Sequence, residues 1–127
     1  MQPEQALNMP IEEFFNWMEY NFSYETSPRM ESDDDVHRGL DMLSVYAETV
    51  NYLKTLSSLA KIKTRMLKRM GKEYRTEYED MVDRGNIIEN KIDSIKLSYQ
   101  TVNKCINVYM DERRQPDSFT RRAGNGR

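Results

Sequence analysis

The chain has 127 residues, of which 38% are hydrophobic and 31% charged, with five glycines and four prolines. That is about one small domain, too apolar for a disordered polyelectrolyte and too poor in Gly and Pro for an all-β chain of tight turns. The net charge of -2 conceals a segregation: residues 1–53 carry -9, 54–75 carry +7, 76–112 carry -4 and 113–127 carry +4.

In chain order, the first expected element is a short aromatic helix starting at Pro10. Proline suits the first helical position, and Glu12 and Glu13 complement the positive end of the helix dipole. Ile11, Phe14, Phe15, Met18 and Phe22 recur at helical spacing, and Trp17, Tyr20 and Tyr24 widen that face. Two roles fit it. A docking helix that caps the core is favoured, because aromatic helix faces are usually packing faces. The other is a protein interface carried by Phe14, Phe15, Trp17 and Met18, since clustered aromatics also anchor partners.

A linker over residues 25–32 follows, marked by Thr26-Ser27-Pro28. Ser32-Asp33-Asp34-Asp35 then reads as a helix start, with Ser32 as N-cap and three carboxylates in the first turn. Beside His37 the same run could suggest a metal site. Consecutive helical residues point in different directions and converge poorly on one ion, so no metal site is expected.

From here to Arg113 there is no proline. The positions Leu43, Tyr46, Val50, Leu53, Ser57, Ala60, Thr64, Leu67, Gly71, Tyr74, Tyr78, Met81, Gly85, Ile88, Ile92, Ile95, Tyr99, Val102, Ile106 and Tyr109 alternate three and four apart without a slip. Such a seam argues for coiled-coil packing of long helices. In the first half Met42, Val45, Tyr52, Leu56, Leu59, Met66 and Met70 broaden the apolar face, which implies a second neighbour. The aromatic helix is one candidate, and a second copy of the chain meeting Leu56, Leu59, Met66 and Met70 is another.

An unbroken helix would be too long to bury its own seam within one chain, so a hinge or intermolecular pairing is required. Gly71 is one hinge, preceded by Lys68 and Arg69. Asp83-Arg84-Gly85-Asn86 is the other, with Asn86 and Glu89 supplying the next cap, and it is slightly preferred. The expected fold is therefore all-α: a short N-terminal helix and two long antiparallel helices in a coiled-coil-like hairpin. Residues 1–113 form a single helical domain, and 114–127 form a flexible, disordered basic tail.

No constellation names a reaction. Cys105 is the single cysteine, which excludes an internal disulfide and fits a reducing compartment, and His37 is the single histidine. No carboxylate pair sits in an apolar setting that would tune an acid against a base. No catalytic residue, cofactor or metal is expected, and the protein is read as a non-enzyme. The N-terminus lacks the basic and apolar regions of a secretory signal, and no stretch approaches a membrane span. A cytoplasmic location is expected, in the host if the chain is phage-encoded, with no membrane partner.

The feature that any function must explain is the basic stretch Lys54, Lys61, Lys63, Arg65, Lys68, Arg69, Lys72 and Arg75. Its heptad recurrence makes one stripe on a helix, suited to an anionic partner such as nucleic acid or an acidic protein. The bland reading is that these bases meet the protein's own acids. Tyr74 and Tyr78 could stack on bases, although both lie on the seam. The run Tyr52-Leu53-Lys54-Thr55-Leu56, with Ile62-Lys63, Met66-Leu67 and Arg84-Gly85-Asn86, resembles the UvsY-type recombination mediators of tailed phages. The resemblance spans Tyr52 to Asn86, and the acidic aromatic N-terminus departs from it. It implies a small helical, oligomeric protein that binds single-stranded DNA, with Lys54, Lys63 and nearby bases on phosphates. The leading expectation is a non-enzymatic helical interaction protein (an adaptor, assembly component or inhibitor of a larger machine) with a protein partner or a homo-oligomer. The alternative is a nucleic-acid-binding accessory protein that uses residues 54–75 and the Arg-rich tail.

Overall fold

The computed structural model of the chain describes residues 1–24 and 28–124, with side chains described at 1–24 and 28–113. Four α-helices, with no strand among the described residues, run in the order α1 (Pro3–Asn8), α2 (Ile11–Asn21), α3 (Asp33–Met70) and α4 (Arg75–Gly124). The long helices α3 and α4 pack antiparallel as the expected hairpin. The helical trace of α4 continues to Gly124, past the boundary expected at Arg113. The side chains of the expected tail, 114–127, lie outside the described residues, as does the whole of 125–127.

Ser32 caps α3 as its sequence suggests. The Asp35 N–H donates to Ser32 Oγ at 3.3 Å, and Asp35 Oδ2 accepts from the Ser32 and Glu31 N–H groups at 3.1 and 2.8 Å. These bonds satisfy amides that the first turn leaves without an intrahelical partner. From this cap α3 runs 38 residues, about 57 Å at ~1.5 Å per residue. Arg113 on α4 forms an ion pair with Asp33, closing the open end of the hairpin.

The hinge is at Gly71, and the preference for Gly85 is corrected. Gly71 has φ +94° and ψ -168°, a conformation essentially restricted to glycine. One 3-10 turn over Lys72–Tyr74 then feeds directly into α4, so the second helix starts without the side-chain cap that the Gly85 hinge would have supplied. Gly85 sits inside α4, where the apolar phase runs on undisturbed. Because the phase passes both glycines, backbone conformation distinguishes them and periodicity does not.

The seam is built largely as its spacing requires. Leu43, Tyr46, Leu53, Ser57 and Ala60 of α3 are buried with Met81, Ile88, Ile92, Ile95, Val102 and Ile106 of α4. At the hinge Tyr74 is exposed, because the chain leaves the helix there. Tyr99 is also 37% exposed while Ser98 is buried. The Ser98 hydroxyl is satisfied within α4, donating to the Ser94 carbonyl at 3.1 Å. Near the open end the helices approach closely at Gly39, where a Cβ would stand 2.9 Å from Ile106 Cδ1.

The second neighbour of α3 is the N-terminal segment. Helix α1 was not expected. Pro3 occupies its first turn and Gln2 with Gln5 forms a capping box, while Ala6 and Leu7 are buried. Helix α2 begins at Ile11, with Pro10 as its cap residue. Phe14 and Met18 are fully buried, and Trp17 packs on Phe22 and Tyr52 with ring centroids 5.1 and 6.4 Å away. Leu56 is buried, and Leu59 and Tyr52 pack against the core; Met66 and Met70 stay exposed. Arg84 is only 4% exposed: its guanidinium lies 5.3 Å from the Phe14 ring centre, bonds Asp80 Oδ2 at 3.0 Å and donates to the Leu7 carbonyl at 3.3 Å.

Gly71→Ala is expected to destabilise the fold by about 1–3 kcal/mol, because alanine resists the hinge conformation. Gly85→Ala is expected to stabilise it by up to ~1 kcal/mol through helix propensity. Urea unfolding of the two variants gives opposite shifts in midpoint; a loss at Gly85 matching that at Gly71 would contradict this hinge assignment. For Arg84→Ala, removal of the buried cation is expected to cost about 1–3 kcal/mol and to red-shift the emission of Trp17, the only tryptophan, as α2 loosens.

Candidate binding face

The hairpin has two broad sides, and the N-terminal helices cover one. On that side Lys63 Nζ meets Glu4 at 3.3 Å, Lys91 Nζ meets Glu19 at 3.4 Å and the Tyr52 hydroxyl donates to the Met1 carbonyl at 2.8 Å. Helical spacing puts Lys54, Ser57, Lys61, Arg65 and Lys68 on the other side of α3, with Val82, Gly85, Asn86, Glu89 and Lys96 facing them from α4, and Lys72 of the hinge turn lies near Lys68. This second side is open.

The structure divides the expected basic stripe into paired and unpaired members. Lys63 is drawn to the covered side by Glu4. Arg75 bonds Glu79 on its own helix at 3.0 Å, and Lys61 reaches Glu89 across the seam at 3.4 Å. Among the described residues, Lys54, Arg65, Lys68, Arg69 and Lys72 make no ion pair. The bland reading therefore holds for three of the eight bases, and the other five keep their charge for solvent or a partner. Arg69 is turned away from the groove by about one residue step of ~100° from Lys68.

Between the helices on the open side lies a recess of about 330 Å³ lined by Ala60, Lys61, Thr64, Arg65, Met81, Val82, Gly85, Asn86 and Glu89. It exists because the seam is built from small residues here. Ala60 and Thr64 face Gly85, and a methyl group added at Gly85 would meet nothing within 4 Å. A second recess of about 290 Å³ continues toward the hinge along Leu67, Lys68, Gly71, Lys72, Arg75, Tyr78 and Glu79. Tyr78 is half-buried and lines this recess with Lys68, Lys72 and Arg75, while Tyr74 is 37% exposed.

The acid that lines the first recess, Glu89, is held by hydrogen bonds. The buried Ser57 hydroxyl donates to Glu89 Oε1 at 2.6 Å, and Lys61 adds its charge. The Ser57 bond, followed by Lys61 and the more distant Lys96, holds the Glu89 carboxyl below its ordinary value against an opposing effect of burial. Chemically the face can hold anions by charge and an apolar group in its recess. Among the described residues, no cluster of three or more His, Cys, Asp or Glu side chains could hold a metal ion.

The proposed interface residues of α2 divide as well. Phe14 and Met18 are interior and offer no surface; Trp17 is partly buried, and Phe15 is 49% exposed. Phe15, which the sequence names in the interface set, is the member that faces outward, and it sits with Ile11, Glu12 and Asn16 of α2 and Ile87 of α4.

The molecule is thus a three-layer helical hairpin with one covered and one open, basic side. Among its described residues no helix is long and apolar enough to cross a membrane. No protein-family model, curated protein or solved structure matches the chain.

Ser57→Ala is expected to raise the Glu89 pKa toward the ordinary carboxylate value, observable by NMR titration of the side-chain carboxyl. A lowered folded pKa contributes stability above the unfolded value that is lost as pH falls through the folded one. The stability difference between wild type and Ser57→Ala is therefore expected to be full at neutral pH and to shrink in acid. An unchanged Glu89 titration would show that Lys61 alone holds the carboxylate.

Proposed function

We propose that the chain is a non-enzymatic helical interaction protein, an adaptor or assembly component, that grips an anionic partner along the open side of its hairpin. The observation that supports this reading is the set of cations without an ion pair among the described residues, Lys54, Arg65, Lys68 and Arg69 on the hinge-ward half of α3 and Lys72 in the turn that follows it. Leaving so much like charge together costs self-repulsion, which an anionic partner relieves. The recess beside Lys61 and Arg65 adds an apolar foothold, and hot spots of interfaces are commonly such pockets with charged rims.

A second reading, that the partner is nucleic acid, is favoured by the row of cations. Lys61, Arg65 and Lys68 recur about one turn apart on α3, rising ~4.5–6 Å each step along the groove edge, and Lys72 follows just past the Gly71 hinge, lining the same recess as Lys68. Regular positive charge on one edge follows a phosphate backbone without reading its bases. The exposed Tyr74 beside it could stack on an unpaired base. The resemblance to UvsY-type mediators points the same way.

Fluorescence anisotropy with single-stranded and duplex oligonucleotides across a salt series separates the two readings. If nucleic acid binds, affinity is expected to fall steeply with salt. Reversal of Lys61, Arg65, Lys68 and Arg69 together to Glu is expected to abolish binding at moderate salt and to lower the log–log salt slope by about 3–4. No binding of wild type at low salt would remove the nucleic-acid reading and leave an acidic protein surface as the partner.

A further inference from the structure

The two sides of the molecule carry complementary features that neither satisfies within the chain. On the outer surface of the N-terminal layer, Phe15 projects at 49% exposure beside Ile11 and Ile87. Glu12 and Glu13 flank it and, among the described residues, make no ion pair. On the opposite side of the hairpin, the recess of about 330 Å³ has Ala60, Met81 and Val82 in its wall and lacks a side chain at Gly85. Arg65 and Lys68 beside it have no acid partner among the described residues, and Lys61 is engaged by Glu89. One side is a knob with acids, and the other is a hole with bases.

We propose that the occupant of the recess is Phe15 of a second copy of this chain, with that copy's Glu12 and Glu13 paired to Arg65 and Lys68. The inference rests on the open basic side being a binding surface, and it names the partner as the chain itself. The recess offers about twice the ~150 Å³ that holds benzene in an apolar protein cavity, so a phenyl ring enters without displacing the seam. The acids come from the -9 segment of residues 1–53 and the bases from the +7 segment 54–75, so the contact also neutralises the two blocks. Glu89 does not oppose the incoming carboxylates strongly, because Ser57 and Lys61 already engage it.

Knob and hole lie on opposite sides of one chain, so the contact is head-to-tail. Each copy uses one surface to bind and presents the other to the next, and the assembly grows as a closed ring or an open stack. A two-fold dimer built on a single self-complementary patch cannot use this pairing.

Sedimentation velocity of the full chain tests the inference, with Phe15→Glu as the knob variant and the double variant Arg65→Glu, Lys68→Glu as the hole variant. Both alter exposed or rim positions, and circular dichroism with Trp17 emission checks that they fold. Wild type is expected to grow in mass with concentration and to dissociate with salt. Each variant alone is expected to be monomeric. Mixed in equal amounts they are expected to form a 1:1 dimer and nothing larger, because one intact knob and one intact hole remain. Gly85→Leu, which fills the recess without changing charge, is expected to give the same result as the hole variant. A wild type that stays monomeric up to its solubility limit overturns the inference, as does a multimer that either variant leaves intact or a mixture that stays monomeric. Oligonucleotide binding by a monomeric wild type, lost in the hole variant, would overturn self-association while upholding the basic side as a binding surface. A monomeric wild type without any such binding would overturn self-association and the nucleic-acid reading together, and leave an acidic surface of another protein as the partner of the basic side.

Discussion

Two helices packed along a single seam enclose very little volume, and this chain's seam is thinned further where Ala60 and Thr64 face Gly85. Such a hairpin needs a third layer, and α3 provides for it by being apolar over more than one stripe. Leu56, Leu59 and Tyr52 point away from α4 and toward α1 and α2. The layer is fixed by Arg84, which contacts the Phe14 ring of α2 and the Leu7 carbonyl of α1 from a buried position on α4. Asp80 beside it supplies the counter-charge. One side chain thus joins three helices, and removing it leaves both a carbonyl without its donor and a ring face without its cation.

Placing the third layer on one side has an electrostatic consequence. The N-terminal segment is acidic, and its Glu4 and Glu19 reach Lys63 and Lys91 on the hairpin. In those pairs the acids are exposed while the lysines are mostly covered, and each pair contributes modestly to stability. Their effect is directional: they spend acid on one side only. Among the described residues, the bases on the other side meet only Glu89 and Glu79, which engage Lys61 and Arg75. The asymmetry of charge is therefore produced by the same packing that completes the core.

The antiparallel hairpin, the Ser32 cap and the broad face of α3 were legible in the sequence, because each is written in local residue types or in helical period. The hinge was not, since Gly71 and Gly85 occupy equivalent seam positions and only backbone conformation tells them apart. Helix α1 was missed because six residues carry too little periodicity to register, although Pro3 and the Gln2/Gln5 cap were present. For the basic stripe the sequence showed which residues cluster but not which find acids. That depends on Glu4 and Glu89 approaching from distant segments, one beside Lys63 and the other beside Lys61, two residues apart on α3 and on opposite sides of it.

That divergence at Lys61 and Lys63 also bears on how the molecule can work. A stripe judged from sequence spreads charge around much of the helix, and a partner would have to wrap α3 to use it. With Lys63 turned to the covered side, Lys54, Lys61, Arg65, Lys68 and Lys72 remain along one edge of the groove, facing the α4 edge across a shallow floor. A partner can therefore dock rigidly, with charge along one flank and apolar contact beneath. The small residues that weaken the seam at Gly85 are what make that floor deep enough to hold a side chain. Stability given up in the middle of the hairpin is in this sense coupled to the shape of its open side, and filling the recess would strengthen the fold while flattening the surface.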